Sequence, residues 1–257
     1  AASLVDDKHG VALSYVALEK NDLTLQALYE LNFAKNWQEF TFALRNFITP
    51  HLNFLYADTN NNIGTIAPGK LPLRNNKISF FPMQGWESNS GWKGYISAND
   101  ISQNHNPQSG IIINANNKVT TKKDYYLGFV WEPKYRAQRI YNLVNDKKYH
   151  SVESFKIMQN DTFFPLARDY IQFLSDIVPT STLEKEAIEK LRNWDLTFDK
   201  NKSEPLIFET WLNEMRSFIF SNNLMPKIDI FLELKPKELK FFLNKLSIKC
   251  PTLVNNN

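Results

Sequence analysis

Short runs of apolar residues in the first half of the chain follow the two-residue period of β-strands. In residues 52–57, Leu52, Phe54 and Tyr56 alternate with their neighbours, and residues 63–67 form a second apolar run. Asp58 to Asn62 separates the two runs with residues that favour turns. The pattern therefore predicts a largely buried β-hairpin over residues 52–67.

Two helices are predicted before this hairpin. Asp22 is placed to cap a helix that runs to about residue 34, and the apolar residues predicted to face inward are Leu25, Leu28 and Leu31. Asn36 and Glu39 have the spacing of a capping box, which begins a second helix that Pro50 would stop. The apolar stripe of this second helix consists of Phe40, Ala43, Leu44 and Phe47.

Residues 68–110 are rich in proline and glycine and predict a long loop region, of the kind that often forms the wall of a binding cleft. The β-branched run Ile111–Ile113 follows Gly110 and predicts a short buried strand. Asn116 and Asn117 end this segment, so carboxamide groups are expected where the sheet edge meets a loop.

All 8 glycines lie at or before Gly128, and the pattern after it is almost entirely helical. The predicted helices span 133–146, 151–159, 164–178, 182–194, 204–220 and 236–247. We therefore expect an α+β protein with a mixed part over residues 1–128, containing strands and a cleft wall, and a mainly helical part over 129–257 of the same subunit.

Composition excludes several classes of function. A net charge of +3 without a dense basic face argues against nucleic-acid binding. Cys250 is the single cysteine, and the 4 histidines lack ligand spacing, so neither a disulfide nor a zinc site is expected. No apolar run is long enough to span a membrane or resembles a signal peptide.

Several motifs in the same order resemble the penicillin acylase (penicillin amidase) family of N-terminal nucleophile hydrolases. They are NWQEF at 36–40, LYADTNNNIGTIAPGKLPLR at 55–74, GWKGYI at 91–96, and NPQSGIIINANNK with DYYLGFVWEPKYRAQRI between 106 and 140. The resemblance is close from Asn36 to Val144 and looser elsewhere. It implies an α/β/β/α sandwich with mostly antiparallel sheets, to which this chain contributes one part.

The resemblance also implies an activity and two catalytic residues. Members of the family hydrolyse linear amides, such as β-lactam side chains or N-acyl homoserine lactones, through an acyl-enzyme. Asn116 matches the family's oxyanion-binding asparagine, and Arg136 matches the arginine that orients this asparagine and the α-amine of the nucleophile. Without the resemblance, Asn116 would be interpreted as a strand cap, while a helix-surface salt bridge is the preferred interpretation for the neighbouring Arg139.

Two further residues follow from the same resemblance. Leu52 falls at or near a position that lines the acyl pocket, although a leucine at the start of a strand is commonly part of the core. Asp124 corresponds to a ligand of the family's structural calcium ion, but the loop differs in length here, and an exposed loop aspartate is the alternative. No cofactor is expected for catalysis.

The chain also departs from the family pattern. It begins Ala1-Ala2-Ser3, whereas the family's nucleophile is the N-terminal serine of a processed subunit. We therefore expect an inactive internal fragment of the β-subunit, whose partners are the α-subunit, the missing part of the β-subunit and a small acyl amide substrate. Family members are usually exported, so a periplasmic or secreted location is expected.

Two alternatives to an enzyme fragment remain open. The first is an acylase-like binding or interaction domain that has lost catalysis. The second is an aromatic surface for carbohydrate or peptide, unrelated to amidases, because aromatic residues make up 14% of the chain.

Overall fold

The computed structural model describes residues 9–74, 83–88, 90–118, 125, 127 and 131–223. The chain divides into two compact units, Ala1–Trp131 and Glu132–Asn257. Each unit has its own hydrophobic core, and the two are described separately.

Short antiparallel strands and two helices form the described part of the first unit. The helices are α1 (Thr24–Leu31) and α2 (Trp37–Ala43), and the strands are β1 (Phe54–Ala57), β2 (Ile63–Ile66), β3 (Pro72–Arg74), β4 (Trp92–Tyr95) and β5 (Gln103–His105). One sheet has the order β1-β2-β5, and β3 pairs with β4 in another. The register of β1 and β2 places Phe54 opposite Ile66 and Ala57 opposite Ile63, which confirms the predicted hairpin.

The predicted cap of α2 is also confirmed. The Oδ1 atom of Asn36 accepts the backbone N–H of Glu39 at 2.9 Å. The Glu39 carboxylate accepts the Asn36 side-chain amide at 2.8 Å and the Lys35 backbone N–H at 2.9 Å. Each contact satisfies a polar group at the start of the helix, where the backbone N–H groups have no partner within the helix.

The core of this unit lies between the helices and one face of the hairpin. Ala27, Leu44 and Phe47 are buried and pack against Phe54 and Ile66. Farther along the same face, the Trp37 ring lies so close to Gly64 that a Cβ atom there would be 2.3 Å from the ring. The absence of a side chain at residue 64 therefore permits α2 to pack on the sheet.

The inward face predicted for α1 is confirmed for Leu31, which packs against the core, and is wrong for Leu25 and Leu28. Leu25 is 82% exposed and Leu28 is 37% exposed, whereas Ala27 is fully buried. The hydroxyl of Thr24 accepts the backbone N–H groups of Ile48 at 3.0 Å and Thr49 at 3.2 Å. These bonds hold the face of α1 that carries Thr24 and Ala27 against the rest of the unit, so Leu25 and Leu28 point outward.

Two strand predictions in the first unit also need correction. The region 68–110, predicted as loop, contains β3, β4 and β5. Ile111–Ile113, predicted as a buried strand, is half-buried and is not assigned to a strand. Ser109 accepts the N–H of Ile111 at 3.4 Å and donates to its carbonyl at 3.1 Å, and such local bonds compete with a sheet ladder.

The described part of the second unit is helical. Its helices are α3 (Lys134–Asn145), α4 (Val152–Gln159), α5 (Pro165–Ile171), α6 (Thr182–Arg192) and α7 (Glu204–Asn223), with a 3-10 helix, Gln172–Asp176, after α5. These bounds confirm five of the predicted helices, and α5 ends earlier than predicted. The predicted helix 236–247 lies outside the described residues.

Aromatic residues fill the core of the second unit. Phe208 is fully buried, and its ring centroid lies 5.6 Å from Trp194, 6.0 Å from Trp211 and 6.4 Å from Tyr170. Apolar residues of α5, α6 and α7 all belong to this cluster. In the described part of the chain, no helix combines the length and apolar character needed to cross a membrane.

Candidate active site

The segment before β1 presents Leu52 to solvent. Leu52 is 47% exposed, so the alternative that it is a simple core residue does not apply. Its neighbour His51 is anchored, because the Nε2 atom lies 3.0 Å from the Ala67 carbonyl oxygen. Burial lowers the pKa of His51, which favours a neutral ring at this position.

Asn53 connects this segment to the loop that carries Asn116. The side-chain amide of Asn53 lies 3.5 Å from Oδ1 of Asn114, at the long limit of a hydrogen bond. The fold thus places Asn53, which follows Leu52, next to Asn114, which lies two positions before Asn116. Leu52 and Asn116, predicted from separate motifs, therefore lie on adjoining segments.

Asn116 occupies a tight turn built from asparagine side chains. Its φ angle of 61° lies in the left-handed region, which asparagine adopts more readily than most residues. The N–H of Asn116 donates to Oδ1 of Asn114 at 3.0 Å, and the N–H of Ala115 donates to Oδ1 of Asn117 at 3.1 Å. Because Ala115 is buried and Asn116 is exposed, the turn projects Asn116 outward from a fixed base.

Arg136 lies in the first turn of α3, which begins after Pro133 as predicted. The Arg136 side chain is exposed, whereas its neighbours Tyr135 and Arg139 form hydrogen bonds with other residues of the second unit. The Tyr135 hydroxyl donates to Oδ2 of Asp169 at 2.7 Å. Burial, with this hydrogen bond, raises the pKa of Tyr135 above its ordinary value. The backbone that carries Arg136 is thus held in place by its neighbour.

Arg139 provides the second anchor of α3. Its Nε and Nη2 atoms donate to the two carboxylate oxygens of Asp161 at 2.8 and 2.6 Å. The guanidinium also lies 4.5 Å from the centre of the Phe163 ring. The salt bridge predicted for Arg139 is confirmed, but it is half-buried and links α3 to the segment that follows α4.

We expect Arg139→Ala to lower the free energy of unfolding by about 1–2 kcal/mol near neutral pH. A bidentate, half-buried ion pair contributes more to stability than a typical exposed ion pair does. The Arg139 guanidinium lowers the pKa of Asp161, so this stabilisation is complete above the ordinary carboxyl pKa and is lost as pH falls through the lowered value. Asp161→Asn removes the carboxylate of the same pair. The difference in the free energy of unfolding between wild type and Asp161→Asn, measured by urea unfolding, should be smaller at pH 3 than at pH 7. An equal difference at the two pH values would contradict a stabilising Arg139–Asp161 ion pair. Lys156→Ala, in an exposed pair with Glu153, is the matched control.

The remaining predicted site residue, Asp124, lies outside the described residues. Across the parts of the chain that the structure does describe, no group of three or more His, Cys, Asp or Glu side chains is placed to hold a metal ion. Asn116 lies in the first unit and Arg136 in the second, so their roles remain predictions from the resemblance.

Comparison with known proteins decides the family. The family model described as penicillin amidase matches residues 3–252 of the chain. The chain belongs to the penicillin amidase family. The match extends well beyond Asn36–Val144, the range over which the motifs alone were clear.

Named relatives agree with this penicillin amidase assignment. The chain is 27% identical over 237 residues to acyl-homoserine lactone acylase QuiP of Pseudomonas aeruginosa, which covers 86% of this chain and 28% of that protein. It is 30% identical over 203 residues to penicillin G acylase of Escherichia coli, covering 71% of this chain and 23% of that protein. The chain thus spans about a quarter of the length of these relatives.

A solved penicillin G acylase shows the same fold. The thermostable penicillin G acylase from Alcaligenes faecalis matches with a TM-score of 0.61 at 21% identity, over 88% of this chain and 52% of that one. The predicted α+β fold class, as part of an N-terminal nucleophile hydrolase with a large helical portion, is confirmed. Within this penicillin amidase scaffold, sequence analysis missed Asn53 and Asn114, and the repeated asparagines of the NANN motif were the available signal.

Proposed function

We propose that this chain is part of an acylase that hydrolyses a linear amide by acyl transfer and releases a carboxylic acid and an amine. Membership of the penicillin amidase family supports this proposal, as do relatives named acyl-homoserine lactone acylase and penicillin G acylase. Because the chain spans 28% of the first of these relatives and 23% of the second, the activity is proposed for the whole protein.

The observation that carries the proposal is the turn at Asn116. This exposed asparagine has a φ angle of 61° and donates its backbone N–H to Asn114, and the turn is also held by the N–H of Ala115, which donates to Asn117. The turn lies beside the segment of Leu52, because Asn53 contacts Asn114. In the proposed reaction, the carboxamide N–H of Asn116 donates to the oxygen that becomes negative in the tetrahedral intermediate. A fixed donor of this kind lowers the barrier by about 3–4 kcal/mol because little reorganisation is needed during the reaction.

The other residues have supporting roles in this proposal. Leu52 forms part of the acyl pocket wall. Arg136 orients the carboxamide of Asn116 and the nucleophile's α-amine through charge-assisted hydrogen bonds. The nucleophile is the N-terminal serine of the processed subunit, contributed by a segment outside this chain, and its α-amine acts as the base.

The proposed substrates are small acyl amides, either N-acyl homoserine lactones or β-lactams with an acylated side chain. The relatives' names support both classes, and the residues described here do not favour one over the other. We place the protein in the periplasm or outside the cell, where such family members usually act. A structural calcium ion that uses Asp124 is part of the same proposal.

Assays with chromogenic amides test the function. The protein encoded by the complete reading frame should hydrolyse a phenylacetyl or fatty-acyl 4-nitroanilide, whereas the 257-residue chain alone should release no nitroaniline. Absence of hydrolysis by the complete protein would favour an inactive acylase-like binding domain. Hydrolysis by the chain alone would refute the proposal that the nucleophile lies outside it.

A further inference from the structure

A cavity of about 350 Å³ lies in the first unit, at the end of α2 and away from the turn of Asn116. Leu44, Phe47, Ile96 and Ile101 line it, and all four are buried in the fold. Its size is at the lower end of the range for small-molecule sites, which are mostly apolar with a few polar groups. The apolar floor suits an aryl ring or a short alkyl chain.

The rim of this cavity is polar and positively charged. Arg45, Asn99 and Gln103 line it, and none of the described residues that line the cavity is acidic. Lys70 also lines the cavity, but it is neutralised by an ion pair with Glu19. Within the described residues, the exposed Arg45 has no carboxylate partner, and its guanidinium lies 5.3 Å from the centre of the Phe42 ring.

We propose that this cavity binds a small monocarboxylate with an apolar body, whose carboxylate is held by Arg45 and whose aryl or alkyl group occupies the apolar floor. A guanidinium fork matches the geometry of a carboxylate and can bind both oxygens. Among the described lining residues, Arg45 is the one cation without a carboxylate partner, and a single charge beside buried apolar side chains suits such an acid better than a phosphate group, which carries more charge. The inference does not depend on the proposed acylase activity.

Titration of the 257-residue chain with sodium phenylacetate tests this site, by calorimetry and by amide NMR. The largest shifts should fall on Ile96, Ile101 and Gln103. Arg45→Gln should weaken binding roughly tenfold or more, which corresponds to the loss of a hydrogen-bonded charge, and Arg45→Lys should retain part of the affinity. The neutral analogue phenylacetamide should bind wild type as weakly as phenylacetate binds Arg45→Gln.

Three variants serve as controls. Lys93→Gln removes an exposed cation outside the cavity and should leave binding unchanged. Ala98→Trp fills the cavity from its rim and should abolish binding, with circular dichroism to verify folding. Leu55→Ala, at an exposed residue that does not line the cavity, should have no effect. Equal binding by Arg45→Gln, loss of binding in Leu55→Ala, or no binding at millimolar phenylacetate would each overturn the inference.

Discussion

Replacement of Asn116 by alanine in the complete acylase is expected to lower kcat for amide hydrolysis by about 10²- to 10³-fold. The variant would lose the carboxamide donor that we place at the developing negative oxygen, whereas substrate binding in the ground state would change little. Steady-state kinetics with a 4-nitroanilide should therefore show a reduced kcat with a nearly constant KM. A decrease in kcat of less than tenfold would contradict the role of Asn116 as the oxyanion donor.

Asn61 provides a matched control for the backbone effect of this change. It is exposed, lies in the turn of the β1–β2 hairpin, and has a φ angle of 64°, close to the 61° of Asn116. Alanine at either position should cost about 1 kcal/mol of stability, because it lacks the short polar side chain whose local hydrogen bonds favour the left-handed conformation in asparagine. Only Asn116→Ala should lose activity. Asn116→Gly should relieve the backbone cost without restoring kcat.

Replacement of Phe208 by alanine should lower the free energy of unfolding of the second unit by about 3–5 kcal/mol, the usual range for a large buried aromatic residue. Phe208 is fully buried, and its ring contacts aromatic rings from α5, from α7 and from the segment after α6. Its removal would leave a cavity that these rigid rings cannot readily fill. Urea unfolding followed by tryptophan fluorescence, to which Trp194 and Trp211 of this unit contribute, measures the loss.

Leu206 on the same helix is the matched control, since it is 73% exposed. Leu206→Ala removes a comparable apolar group from solvent and should change stability by less than about 0.5 kcal/mol. Equal effects of the two substitutions would show that the Phe208 cluster does not determine the stability of this unit.

Local signals in the sequence were sufficient to predict most helices. Asn36 with Glu39 gave a cap spacing that the structure confirms by a hydrogen bond. Such caps depend on residues within one turn, so no tertiary information is needed. Leu25 and Leu28 of α1 were predicted wrongly to face inward because the Thr24 hydroxyl accepts hydrogen bonds from Ile48 and Thr49, and this long-range contact is not visible in the local hydrophobic pattern.

Strands were harder to predict for the same physical reason. β3 and β5 have only three residues each, and β3 begins with a proline, so neither has a recognisable alternating pattern. Conversely, Ile111 has the β-branched side chain of a strand residue, but its backbone bonds to Ser109. A strand requires a partner in the sheet, and intrinsic preference does not provide one.

The candidate site could be located only through ordered motifs. Asn116 and Arg136 are an ordinary turn residue and an ordinary helix residue when each is considered alone, and the penicillin amidase motifs distinguished them. The supports around them, Asn53 with Asn114 and Arg139 with Asp161, join residues that are 61 and 22 positions apart. Contacts over such separations depend on the fold and could not be predicted from local sequence.

The outward-facing side of α1 affects how the isolated chain should be handled. Leu25, Leu28, Tyr29 and Phe33 are exposed at spacings that place them along one side of this helix, and the rings of Tyr29 and Phe33 lie 5.1 Å apart. Sulfate salts strengthen the association of such surfaces. The chain should therefore be retained on phenyl resins, should precipitate early in ammonium sulfate, and is best purified and stored at low salt.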